Sequence, residues 1–91
     1  MADAARHLRV RLSPRMRLQW EKAQGAHVLL YPEGMVQLNE SAAVILELCD
    51  GSRTAEQVVG ELSQRFDAPG LAGDVSEFLD TARSHGWIVD A

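Results

Sequence analysis

Apolar and polar positions alternate along residues 17–22, with Leu18 and Trp20 on one face and Arg17, Gln19 and Glu21 on the other. That period of two predicts a half-buried strand. Gln24-Gly25 offers a turn, and residues 27–31 form a second strand that is richer in apolar positions. Pro32-Glu33-Gly34 predicts another turn, because proline presets φ and Gly34 is free to take φ > 0. Residues 35–38 make a third, short strand, so the segment reads as a three-stranded antiparallel meander. Upstream, Ser13-Pro14 marks the start of the ordered chain, since a residue before proline is biased towards extended geometry. The first ten or so residues carry no turn or cap signal and are expected to be disordered.

From Asn39 the period becomes helical. Asn39 caps a helix over residues 40–49, with Ala42, Ile45, Leu46 and Cys49 on one stripe, and Asp50-Gly51 ends it. Thr54 and Gln57 make a capping box for a second helix, striped by Ala55, Val58, Val59, Leu62 and Phe66. Gly60 inside it costs about 1 kcal/mol relative to alanine, which points to close packing there. Pro69-Gly70 breaks the chain. Asp74 and Glu77 then cap a third helix with Val75, Phe78, Leu79 and Ala82 on one face. Gly86 closes it, and Trp87-Ile88-Val89 is a short extended segment that pins back onto the core. The class is α+β: a three-stranded antiparallel meander followed by three short helices, winged helix-turn-helix-like in its last two. Residues 1–12 read as a flexible basic arm and residues 13–91 as the folded domain.

At 91 residues the chain allows one domain and one core. Its longest apolar run covers residues 42–46, far short of the roughly 20 that a membrane-spanning helix needs. A single cysteine, Cys49, excludes an internal disulfide framework and a multi-cysteine zinc site. The composition reads as cytoplasmic. Charge is unevenly spread: residues 1–22 carry +4 and the remainder −8. A basic arm on an acidic body can touch an anionic partner, or it can be a solvated terminus.

Enzyme chemistry lacks a constellation. His7, His27 and His85 are scattered with no metal-ligand spacing, and Cys49 sits on an apolar stripe as a small hydrophobe. The seven glycines are dispersed, so no phosphate loop forms, and no metal or cofactor is implied. The two last helices raise a winged-helix nucleic-acid-binding protein as the alternative reading. A recognition helix normally carries Lys or Arg, yet the third helix offers Asp74, Glu77 and Asp80 against Arg83 alone.

A peptide-binding module fits better. An unpaired strand edge beside an amphipathic helix receives an extended peptide through main-chain bonds, with selectivity from the adjoining groove. Residues 34–39 would be that edge and the third helix the groove wall. In so small a domain most of the Val75, Phe78, Leu79 and Ala82 stripe must be core, and Trp20, Trp87 and Tyr31 are read as core too.

The stretch His27-Val28-Leu29-Leu30-Tyr31-Pro32-Glu33-Gly34, then Leu38-Asn39-Glu40-Ser41-Ala42, Ile45-Leu46 and Cys49-Asp50-Gly51, closely resembles the PqqD family. So do Asp74-Val75, Phe78-Leu79 and Gly86-Trp87-Ile88, and the likeness covers about residues 12–89. The resemblance implies a non-catalytic peptide chaperone of pyrroloquinoline quinone biosynthesis and a recognition element for ribosomally made peptides. Its partners would be the precursor peptide PqqA and the radical S-adenosylmethionine enzyme PqqE, to which the peptide is presented. The leader would add as a strand to the third strand and rest against the third helix. That places binding on Gly34, Met35, Val36, Gln37, Leu38 and Asn39, with the exposed side of Val75, Leu79 and Arg83 opposite. A monomer is expected in dilute solution, while a free edge or strand exchange leaves a dimer open.

Overall fold

The computed structural model describes residues 8–91. The meander forms as the alternation predicts: β2 (Arg17–Glu21), β3 (Ala26–Tyr31) and β4 (Gly34–Gln37) pair antiparallel in that order, following β1 (Arg9–Leu12). Trp20 lies opposite His27, Leu18 opposite Leu29, and Leu29 opposite Val36. Paired residues share a face, so Leu18, Leu29 and Val36 line the face turned to the core. Trp20 continues that face beyond the core and is 56% exposed, against the expectation that it fills the interior.

Three helices follow: α1 (Glu40–Glu47), α2 (Ala55–Arg65) and α3 (Leu71–Ser84). Asn39 caps α1 by accepting the Ala42 N–H at 2.7 Å. The helix stops two residues short of Cys49, with Leu48 as its last half-helical residue. The Thr54–Gln57 capping box opens α2, both of its hydrogen bonds in place. The start of α3 departs from expectation. Gly70 caps it in the left-handed conformation at φ 76°, and Asp74 and Glu77 lie inside the helix. The breaker dipeptide delivers the chain directly into helical geometry, so no side-chain cap is used. Gly60 also departs: a Cβ there would meet nothing within 4 Å, so it has no packing role.

A second antiparallel sheet sets β1 between β5 (Asp50–Thr54) and β6 (Ile88–Asp90). The basic arm ending at residue 12 is therefore corrected over Arg9–Leu12, which is the central strand of this sheet. Val10 is fully buried, while Arg9 and Arg11 point outward. Residues 1–7 of that arm lie outside the described residues. Strand β5, Asp-Gly-Ser-Arg-Thr, has no apolar alternation to announce it; β1 supplies its partner. The core joins both sheets and all three helices through Val10, Leu29, Leu46, Val58, Val75 and Ile88.

Candidate functional site

The site begins with a choice that the backbone makes at β4. Leu38 donates its N–H to the His27 carbonyl at 2.9 Å. Bonding direction alternates along an antiparallel ladder, so Leu38, Val36 and Gly34 face β3, and Met35 and Gln37 turn their N–H and C=O groups outward. No described strand pairs with that side. Its side chains divide the same way. Met35 (49% exposed) and Gln37 stand on the solvent face, Val36 is half-buried towards the core, and Leu38 is buried.

Helix α3 runs beside this segment in the opposite direction. Its N-terminal end, at Leu71 and Val75, shares an open groove with Glu40 and Ser41, just past the end of β4. Its C-terminus, at His85 and Gly86, shares a second hollow with Tyr31, Pro32 and Glu33, just before the start of β4. The lengths agree: the 14 residues of α3 rise about 21 Å, and residues 34–39 extend about 20 Å.

The groove at the α3 N-terminus has a volume of about 390 Å³ and is largely apolar, formed by Val44, Ile45, Leu62, Phe66, Leu71 and Val75 with Glu40 and Ser41 at its rim. Phe66 leaves the α2 stripe for extended backbone and is 50% exposed over the groove. Sequence periodicity assigns it to the core. The available signal was its place as the last stripe residue before the Asp67–Gly70 breaker. The second hollow, about 480 Å³, is walled by His85 stacked on Trp87 with ring centroids 5.0 Å apart.

The structure draws together only part of the helix side of the expected site. Val75 reaches the groove, though its own exposure is 2%. Leu79, at 4%, is core and lines neither hollow. Arg83 pairs with Asp90 of β6, which puts it on the flank of α3 turned to the second sheet. The opposite flank carries Asp74, Phe78, Thr81 and His85, which repeat at helical spacing. Of these, Asp74, Thr81 and His85 are exposed and Phe78 is half-buried, 6.5 Å from the Trp87 ring.

Cys49, the one thiol of the chain, is not an activated nucleophile. Burial pushes the Cys49 thiol up to about 11, and its Sγ lies 3.4 Å from the Ile45 carbonyl. Asp50 is held below the usual carboxylate range by hydrogen bonds from the Ser52 hydroxyl and N–H. Among the described residues no group of His, Cys, Asp or Glu is placed to hold a metal, and no helix is long and apolar enough to cross a membrane.

Comparison with known proteins gives this geometry a family. A "PqqA binding protein" of Methylococcus capsulatus is 53% identical over 77 residues, covering 85% of this chain and 83% of that one. Its namesake in Azotobacter vinelandii is 55% identical over 73 residues, covering 79% of each. Among solved structures, the PqqD truncation of Methylobacterium extorquens PqqCD matches with a TM-score of 0.69 and 29% identity, over 88% of this chain and 87% of that one. That structure is described as a functional, stand-alone recognition element for ribosomally synthesized and post-translationally modified peptides. These relatives are thus described as a binding protein and a recognition element. With residues 26–88 matching the family described as Coenzyme PQQ synthesis protein D, the chain belongs to the PqqD family.

Proposed function

We propose that this chain is a cytoplasmic peptide chaperone of pyrroloquinoline quinone biosynthesis that binds the precursor PqqA as an added strand on β4 and presents it to PqqE. The observation that carries the reading is the β4 edge, where Met35 and Gln37 hold unpaired main-chain donors and acceptors beside a helix of matching length. The relatives' name supports the choice of peptide. Gly34, Met35, Val36, Gln37, Leu38 and Asn39 supply the receiving strand, and Val75 contacts the peptide through the groove with Phe66. Leu79 and Arg83 act by holding α3 in place, one through the core and the other through Asp90.

An amide NMR titration with unmodified PqqA, against a DNA duplex as control, tests this. Shifts at residues 34–39 and along α3 with peptide alone are expected. Shifts with DNA alone would reinstate the nucleic-acid reading, which the exposed Asp74, Glu77 and Asp80 of α3 oppose. Arg9 and Arg11, outward on β1, are the part of the basic segment that meets an acidic surface of PqqE. Replacing both with glutamate, rather than deleting residues 1–11 and with them buried Val10, should weaken the ternary complex and flatten its salt dependence. An unchanged complex would reject that contact.

A further inference from the structure

The meander has a second border, and it is built differently from the first. Because Leu38 bonds to His27, the alternation sets His27, Leu29 and Tyr31 towards β4 and Ala26, Val28 and Leu30 towards β2. Their partners Glu21, Gln19 and Arg17 bond inward, so Leu18 and Trp20 turn their N–H and C=O groups out from the sheet. No described strand takes them up.

The strand is self-complementary under a two-fold axis through Gln19. Two antiparallel copies of Arg17-Leu18-Gln19-Trp20-Glu21 set Arg17 of each against Glu21 of the other, and Leu18 against Trp20. The outward groups fall where this register needs them: Leu18 and Trp20 of a second copy exchange N–H···O=C bonds, twice by symmetry. Leu18 already packs on the core, but the other three side chains that would meet have contact area or charge to spare in the single chain. Trp20 is 56% exposed, touching the His27 ring edge-on at 5.1 Å. Arg17 and Glu21 enter none of the ion pairs among the described residues. By contrast Gly-Met-Val-Gln of β4 has neither charge nor aromatic ring to fix a register on a copy of itself.

We propose that the outer edge of β2 is a self-association surface for a second copy of this chain, giving a six-stranded sheet with β4 at both outer borders. The contact is only five residues long, below the roughly 1,000 Å² that a stable interface clears, so the dimer is weak and concentration-dependent. Both β4 edges stay open, so pairing at β2 and peptide binding at β4 do not compete. A β2-to-β4 contact would instead block the peptide edge and propagate without closing.

Charge reversal of the full chain tests this by sedimentation and amide NMR from about 10 µM to about 1 mM. Wild type should show concentration-dependent association with amide shifts at Leu18 and Trp20. Arg17→Glu and Glu21→Arg should each stay monomeric, while their equimolar mixture associates, because every mixed pair again sets arginine against glutamate. The double variant in one chain should associate as well. Dispersed Val28 and Leu29 amides in each variant serve as the folding control. A wild type that stays monomeric, single variants that associate like wild type, a monomeric mixture, or shifts confined to residues 35–38 would each overturn the proposal.

Discussion

The N–H of Leu38 bonds to the carbonyl of His27 at 2.9 Å, and that single contact decides which half of β4 faces outward. Because the ladder alternates, Met35 and Gln37 both turn their main-chain N–H and C=O groups outward, whereas Val36 between them is committed to Leu29. Sequence alone left open which residues hold the outward amides; the register settles it.

Proline substitution separates the two roles. Met35→Pro and Gln37→Pro each delete an outward donor while leaving the internal ladder intact, as edge strands allow. Each should weaken PqqA binding by roughly tenfold or more, since one such bond is of order 1 kcal/mol and proline also obstructs the incoming strand. Val36→Pro should instead destabilise the fold by about 1–3 kcal/mol, through a lost and unsatisfied ladder bond. Calorimetric titration and denaturant unfolding of the three variants check this pattern.

Phe66 and Leu62 line the same groove but differ in burial, at 50% and 2% exposure. Phe66→Ala should leave stability nearly unchanged and reduce peptide affinity by roughly tenfold, the worth of covering half a phenyl ring. Leu62→Ala should cost about 2–5 kcal/mol of stability. Equal affinity for Phe66→Ala and wild type would remove the groove from the binding site.

Gly60 lies in the interior of α2 with open space where a Cβ would go. Gly60→Ala should therefore stabilise the chain by about 0.5–1 kcal/mol, by helix propensity and a less flexible unfolded state. Urea unfolding reads this directly, and peptide affinity should not change.

Cys49 predicts a pH dependence. Burial raises its thiol from 9.0 to about 11, so between these values the unfolded chain releases a proton that the folded chain keeps. The unfolded state binds fewer protons there, and stability falls as pH rises from 9 towards 11. Below pH 9 the contribution is fully present. Cys49→Ala should lack this part of the slope in unfolding curves taken across that window, and the wild-type thiol should react slowly with alkylating agents until the chain is unfolded.

The meander was legible because Arg17–Glu21 carries a clean period of two and the Pro32-Glu33-Gly34 turn fixes where the next strand begins. The α1 and α2 caps were legible because Asn39 and Thr54 each reach a backbone N–H three residues on. The second sheet was not. Strand β5 has no apolar pattern, and Arg9–Leu12 shows only two inward positions, Val10 and Leu12. Such strands exist because distant segments meet, and nothing local records that meeting. For the site, the β4 edge follows from strand order, but the flank of α3 that faces it does not. Arg83 and Asp74 sit on opposite sides of one helix, and only the ion pair to Asp90 shows which side meets β6.

Amide hydrogen exchange at Met35 and Gln37, with and without bound PqqA, tests strand addition most directly. The account predicts fast exchange of both amides in the free chain and strong protection of both in the complex, with Val36 protected throughout. Saturated peptide binding that leaves the Met35 and Gln37 amides exchanging as in the free chain would contradict it.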